Sequence, residues 1–530
     1  MRQYEMFEIR LEGRAPEGSE SLTDFQAVFT LNGKKKIVTG FYAGNQIYKV
    51  RFYPQEPGTC TWEITSSLSL RGELTGIREC EPATGHGMVR AKGLHFRYED
   101  GSRYMPFGTT VYALLYQKES LINQTMKTLK ESTFNKVRMC VFPKHFDFND
   151  NEPELFPFEK QDRKFDINTP CYSFWDKLEQ RIAELGEAGI EVDLILFHPY
   201  DCWGFSELSK EECKIYLDYL VRRISAYPNV WWSLANEYDL LEHFAESWWT
   251  EFAEFIHEKD RYGHLLSNHN CLPYWDFSNK YTTHCSIQDV CVSRVPDFQE
   301  KYKKPVIFDE VCYEGNLMYT WGNISGFELV NRFWICCVLG GYCTHGETFM
   351  DTNDILWWSK GGELHGESPK RIAFLKQILE ELPEDIEPVE SPVMSLTYQE
   401  VCEKVRKNEE TDRFFKILAK MSEVRFQDYK DRFREICGHC GKNVYLWYYG
   451  RQCISVTELE LPEEEKYDIE IIDVWEMTRE KVLSEAGGKI TVELPGKEGI
   501  AVIATRHVHL DIENHSGYST QISMETAASV

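Results

Sequence analysis

Between residues 105 and 382 the chain alternates short apolar runs with amphipathic segments, and no other feature restricts its fold as much. The runs 105–112, 136–142, 192–198, 230–236, 264–269, 281–287, 305–308 and 342–345 read as strands. Apolar residues recur at helical spacing over 119–131, 173–188, 210–226, 241–259, 327–339 and 369–382. Short continuous apolar runs are strands buried on both faces, and strands that alternate with helices pair in parallel. Eight such strands predict an α/β chain with a (β/α)8 TIM barrel. An open doubly wound sheet is the alternative, but no glycine-rich dinucleotide or phosphate-loop fingerprint supports it.

The flanks read differently. Residues 1–88 hold closely spaced strand-like runs such as Ala27-Val-Phe-Thr-Leu31 and Gln46-Ile-Tyr-Lys-Val-Arg-Phe52, with turns at Asn32-Gly33 and Pro57-Gly58. That spacing predicts an N-terminal β-sandwich. A hairpin is expected around Asp100-Gly101. The barrel then occupies 89–386, and Glu387-Pro-Val-Glu-Ser-Pro392 reads as a linker. Strand-like runs at 413–419, 443–449, 467–474, 489–494 and 500–505 predict a C-terminal β-sandwich over 393–507, followed by a polar tail, 508–530.

A net charge of -26 sets the surface against nucleic acid and anionic lipid as partners. No signal peptide and no membrane span is recognisable in the sequence. The 17 cysteines are odd in number and scattered, which suits reduced thiols and a cytoplasmic location. Cys437-Gly-His-Cys440 has the spacing of a redox pair, but a strand-like run follows it where a helix would be needed, so it reads as a turn between strands.

Chemistry-bearing residues collect where barrel enzymes place them, at the carboxyl ends of strands. Val-Trp-Trp-Ser-Leu-Ala-Asn236-Glu237 ends strand four, and Lys-Pro-Val-Ile-Phe-Asp-Glu310 ends strand seven. Arg138 lies in strand two, His198 ends strand three, and His284 lies in strand six. Tyr313 follows strand seven, His345 and Glu347 end strand eight, and Trp357 stands on the loop beyond. Two carboxylic acids facing each other across one pocket suit glycoside hydrolysis, with one as proton donor and the other as anion. Each of these residues alone is more often a satisfied buried polar group, and only their shared placement favours a site.

The sequence resembles the retaining glycoside hydrolases of clan A and is similar to family 5 and to the apiosidase-like barrels. Asn236-Glu237, Glu310, Arg138, His198 and the run Asp309-Glu-Val-Cys-Tyr-Glu-Gly315 carry the resemblance. It implies that Glu237 is the acid/base and Glu310 the nucleophile, with Arg138 and His198 in the same pocket. His284-Cys-Ser286 stands where family 5 has His-x-Tyr, and His345-Gly-Glu347 where it has a Trp. The sugar is therefore not set by the resemblance. No metal and no cofactor is called for.

These readings predict a retaining enzyme that acts on an oligosaccharide or small glycoside. Long loops after strands two, seven and eight carry Tyr313, Trp321, Trp357 and Trp358, which could stack on a sugar, so an exo-acting pocket is expected. The alternatives are an endo-acting glycanase or a non-catalytic carbohydrate-binding barrel. The flanking sandwiches are expected to be structural and to leave room for a homo-oligomer.

Overall fold

The computed structural model describes residues 1–161, 164–350, 356–389, 394–409 and 412–507. Its centre is an eight-stranded parallel sheet: β1 Phe107–Thr110, β2 Lys136–Cys140, β3 Glu191–Phe197, β4 Val230–Ala235, β5 Leu266–Ser267, β6 Cys285–Gln288, β7 Val306–Glu310 and β8 Tyr342–His345. The neighbours run β5-β4-β3-β2-β1-β8-β7-β6, and a parallel bridge between His269 and Ser286 closes the ring. β2, β3, β4 and β7 are buried at every position, which is why they read as continuous apolar runs.

The helices around the barrel are α1 Glu119–Glu131, α2 Tyr172–Glu187, α3 Lys210–Ile224, α4 Glu246–Lys259, α5 Val295–Tyr302, α6 Gly326–Val338, the short α7 Trp357–Lys360 and α8 Ser368–Glu381. α3 starts on a capping box between Ser209 and Glu212. The sequence reading lacks α5. It is a helix of eight residues that opens on Pro296, and its start reads as a turn.

Residues 89–104 close the amino end of the barrel. Val89–Lys92, His95–Tyr98 and Arg103–Tyr104 form a small antiparallel sheet, with the expected hairpin at Gly101. Val89, Phe96 and Tyr104 pack on Trp231, Leu265, Ile307 and Tyr342 of the barrel floor. That end is plugged, and the cavity described below opens at the carboxyl end.

Before this plug lies a sandwich of two four-stranded antiparallel sheets, with Phe29 stacked on Phe52 at 4.3 Å in its core. Arg51 ties the sandwich to the barrel. Its guanidinium is buried and donates to Glu8 Oε2 at 2.8 Å, Glu179 Oε2 at 2.7 Å and the Arg223 carbonyl at 2.6 Å.

Beyond the barrel the structure corrects two expectations. Residues 413–419 are not a strand. Arg413–Leu418 is a helix, α10, between α9 Tyr398–Arg406 and α11 Glu423–Phe433. The spacing of Phe414, Phe415, Ile417 and Leu418 is helical, and Asp412 caps the turn by accepting from the Phe414 N–H at 2.7 Å. Leu418, Val401 and Phe426 form the small core of this helical unit. Cys437-Gly-His-Cys440 is likewise not a turn. It lies within the strand Ile436–Cys440, paired antiparallel with Val444–Tyr448, and the turn comes after it. Cys437 packs in the C-terminal core and Cys440 in the barrel core, so the two thiols point to opposite faces of the strand. Six strands form the main C-terminal sheet, which docks on α6 through Tyr448, bonded to Asn331 at 3.0 Å.

Arg51→Ala should remove one of the two arginines that hold the buried Glu179, together with the Nε–H donor to Glu8, and cost about 2 kcal/mol. Chemical denaturation, with limited proteolysis of the N-terminal sandwich, measures this. A variant as stable and as protease-resistant as wild type would show that the two parts do not depend on the pair.

Candidate active site

Strand ends bring the site together. Glu237 follows β4 in a left-handed conformation, with φ of 54°. A non-glycine residue there is strained, and its neighbours must hold it in place. Asn236, just before it, donates from Nδ2 to Glu237 Oε2 at 3.2 Å. The Tyr200 hydroxyl, from the segment after β3, donates to the same carboxylate oxygen. Across the barrel mouth, Glu310 ends β7 and accepts from the Tyr112 hydroxyl. Arg138 Nη1 lies 3.5 Å from Glu310 Oε1, and Nη2 donates to Asn236 Oδ1 at 3.3 Å.

Gln288 joins the two acids. It ends β6 directly beside Glu310, just after a register irregularity that re-aims it. With its amide nitrogen facing the carboxylates, it donates to Glu310 Oε2 at 3.0 Å and to Glu237 Oε1 at 3.3 Å. The opposite orientation would set a carbonyl oxygen against two carboxylates. The two bonded oxygens are thus no more than about 6.3 Å apart, a bound that admits the ~5–5.5 Å separation of a retaining pair.

Beneath the acids lies a deck of buried charge. Lys136 Nζ contacts Asp309 Oδ1 at 2.6 Å and Asp193 Oδ2 at 3.1 Å, and Arg138 Nε lies 3.3 Å from the same Asp193 oxygen. Ser286 and Thr344 donate to Asp309 at 2.6 and 2.7 Å. Burial alone would raise the Asp309 carboxyl, but Lys136 and Arg138 outweigh it and hold the acid well below the usual range. Asp309 is therefore an anion that fixes Lys136 and Arg138. Glu310 differs: burial first, then the charge of Glu237, push it up to about 6 against the pull of Arg138 and Tyr112.

The cavity holds about 510 Å³. One wall is aromatic, with Tyr112, Phe146, Tyr200, Tyr313, Trp321 and Trp358; the other has Cys271, Leu272, Asp289 and Val290. Lys144 also lines it, with Nζ 3.7 Å from the Tyr112 ring centre and 4.2 Å from that of Tyr200. Burial lowers this ammonium, while the nearby Glu237 and Glu310 favour its charge.

Of the residues expected at the site, Glu237, Glu310, Asn236 and Tyr313 line the cavity, and Arg138 touches both Glu310 and Asn236 from below. His284 does not reach it. β6 begins after His284, which packs on Phe96 and Trp231 at the plugged end. His198 is buried beside the wall, bonded through Nε2 to the Phe142 carbonyl at 3.2 Å and pushed down to about 4 by burial and Lys144. His345 stacks on Phe134, and its Nδ1 lies 2.9 Å from Thr109 Oγ1, which accepts from Trp357 Nε1 at 2.8 Å. Glu347 accepts from the backbone N–H groups of His365 and Gly366 at 2.5 and 2.8 Å; Glu314 does the same for Glu367 and Ser368 at 2.7 and 3.0 Å. These two acids anchor the start of α8 and are absent from the cavity lining. Tyr112, Lys144, Tyr200 and Gln288, which surround the two acids, are among the lining residues that sequence reasoning missed. Among the described residues no group of three His, Cys, Asp or Glu is arranged to hold a metal ion, and no helix is long and apolar enough to cross a membrane.

Comparison with known proteins fits this geometry. Residues 90–385 match the family described as apiosidase-like, catalytic domain. The chain belongs to the apiosidase-like family. Residues 1–67 and 433–505 match two domains of unknown function, DUF5060 and DUF5605. A candidate glycoside hydrolase from Bacteroides vulgatus ATCC 8482 is 32% identical to this apiosidase-like chain. The match covers 96% of this chain and 99% of that one, with a TM-score of 0.82. A family 5 glycoside hydrolase from the same organism shares the fold at 14% identity and a TM-score of 0.58, over 79% of this chain and 94% of that one. Comparison with curated proteins gives no match.

The buried pair has a consequence for stability. The folded-state pKa of Glu310 is raised, so the wild type loses stability as pH rises from the unfolded carboxylate value through about 6. Glu310→Gln removes that penalty and should be about 2 kcal/mol more stable than wild type at pH 8. The gain should shrink towards pH 5. Equal stability at both pH values would show that the pair carries no such penalty.

Proposed function

We propose that the chain is a retaining glycoside hydrolase that releases the terminal sugar of short oligosaccharides or small glycosides by double displacement. The observation that carries this is the single Gln288 amide within reach of both carboxylates, a closeness that favours direct attack by one acid over a water held between them. Glu310 attacks the anomeric carbon while Glu237 gives its proton to the departing oxygen. The ester removes the charge of Glu310, so the Glu237 carboxylate left by the first step no longer faces an anion and stays ionised to act as the base. Glu237 then takes a proton from water as that water attacks the anomeric carbon, and Glu310 leaves as a carboxylate. Arg138 and the Tyr112 hydroxyl favour the anionic Glu310 that starts each turnover. Asn236 stands between the acids, where a sugar 2-hydroxyl would come, and Tyr313 and Trp358 offer ring faces for stacking.

A walled cavity supports exo action. Trp321, on the loop after β7, packs on Trp358 at 5.2 Å, and Phe146, from the loop after β2, packs on Trp358 at 6.0 Å. Together they close one side of what would otherwise be a groove. The 17 cysteines are free thiols, which supports a reducing, cytoplasmic setting.

Glu310→Gln should abolish turnover, and Glu237→Ala should lose on the order of 10²–10⁴ in rate with poor leaving groups. Full activity of Glu237→Ala on unactivated glycosides would refute its role. kcat/KM should fall as pH drops below about 6, because Glu310 takes up a proton. Tyr112→Phe removes a donor to the Glu310 anion and should move that limb to higher pH. An unmoved limb, or a rate that rises below pH 6, would assign the ionisation to another group.

A further inference from the structure

The wall opposite the aromatic one is built around exposed aliphatic side chains. Leu272 is 78% exposed and Val290 51% exposed, yet both line the catalytic cavity. Their backbone is held firmly. The N–H groups of Cys271 and Leu272 donate to the two oxygens of Asp239 at 2.6 and 2.9 Å, and Asp239 lies two residues beyond Glu237. Asn270, just before them, exchanges two hydrogen bonds of 3.1 Å with the backbone of Gln288. Val290 follows Asp289, whose carboxylate accepts from the Cys291 N–H at 2.8 Å and from the Tyr274 hydroxyl. The two turns are thus locked to each other and to the acid/base strand.

Exposed apolar side chains on a mount this rigid are a preorganised contact surface. Their place fixes what they meet. The Cys271 thiol, pushed up to about 12 by burial and by its contact with Glu237, puts this lip beside the proton donor. The proton donor stands at the leaving-group oxygen, while the sugar ring has the aromatic wall to stack on. We propose that Leu272 and Val290 form the leaving-group subsite and select an apolar aglycone, aryl or alkyl, over a second sugar. A pyranose presents hydroxyls around its rim and gains little from two branched aliphatic side chains. A hydrocarbon leaving group would cover both.

This rests on the hydrolase reading above, so the test separates the two. Wild-type enzyme is offered both anomers of glucosyl, galactosyl, mannosyl, xylosyl, arabinosyl, fucosyl, rhamnosyl and apiosyl fluoride, which have no aglycone. If no fluoride is released, the hydrolase reading fails and this proposal falls with it. For the sugar that is accepted, kcat/KM is measured on its octyl glycoside, its methyl glycoside and a disaccharide ending in it. The octyl compound should exceed both others by about tenfold. In L272S/V290S, which exchanges two exposed side chains at little cost in stability, that ratio should fall towards one. A wild-type preference for the disaccharide, equal values for octyl and methyl, or a ratio unchanged in the double variant would each overturn the proposal.

Discussion

Two carboxylates held close together in a buried pocket repel each other, and much of the barrel is arranged around that repulsion. At an effective dielectric of ~20, two full charges about 6 Å apart cost about 3 kcal/mol, a sizeable share of a domain's net stability. The chain answers with neutral donors and with cations beside and below the pair. Gln288 bridges the acids without adding charge, and each acid has its own tyrosine, Tyr112 for Glu310 and Tyr200 for Glu237. Arg138 and Lys144 supply positive potential from below and from the side. Burial, with the residual repulsion from Glu237, leaves Glu310 raised to about 6, still ionised at neutral pH and ready to respond when the neighbouring charge changes.

That arrangement needs a stiff frame. Lys136, Arg138, Asp193 and Asp309 lock β2, β3 and β7 together under the site, and the sheet of residues 89–104 seals the far end. Arg138 is positioned by Asp193 and in turn positions Asn236 and Glu310, so one buried side chain transmits the rigidity of the deck to the carboxylates. The anchor made by Glu314 and Glu347 does similar work behind Trp358, by fixing the start of α8. Both acids take part in the site's support and not in its lining.

Barrel topology and both acids were legible in the sequence for one reason. Buried parallel strands leave continuous apolar runs, and an acid at the end of such a run stands out. Where the pattern is weaker, the sequence misleads. Tyr281-Thr-Thr looks β-like, so the sequence predicts strand six from 281, whereas the strand begins at Cys285. That placed His284 in the site and hid Gln288, whose position opposite Glu310 depends on register. Tyr112 closes an expected strand but carries no charge to attract notice, and Lys144 and Tyr200 lie on segments beyond strand ends, where no periodicity marks a side chain's direction. The run at 413–419 is short enough to suit either period, and the cap at Asp412 decides for the helix.

The account stands on the closeness of Glu237 and Glu310, and the stereochemistry of the reaction reads that closeness directly. Proton NMR of the first sugar released, recorded before mutarotation, should show the anomeric configuration of the substrate retained. An inverted first product would mean that a water fits between the acids and the sugar, and it would contradict both the double displacement and the spacing on which it depends.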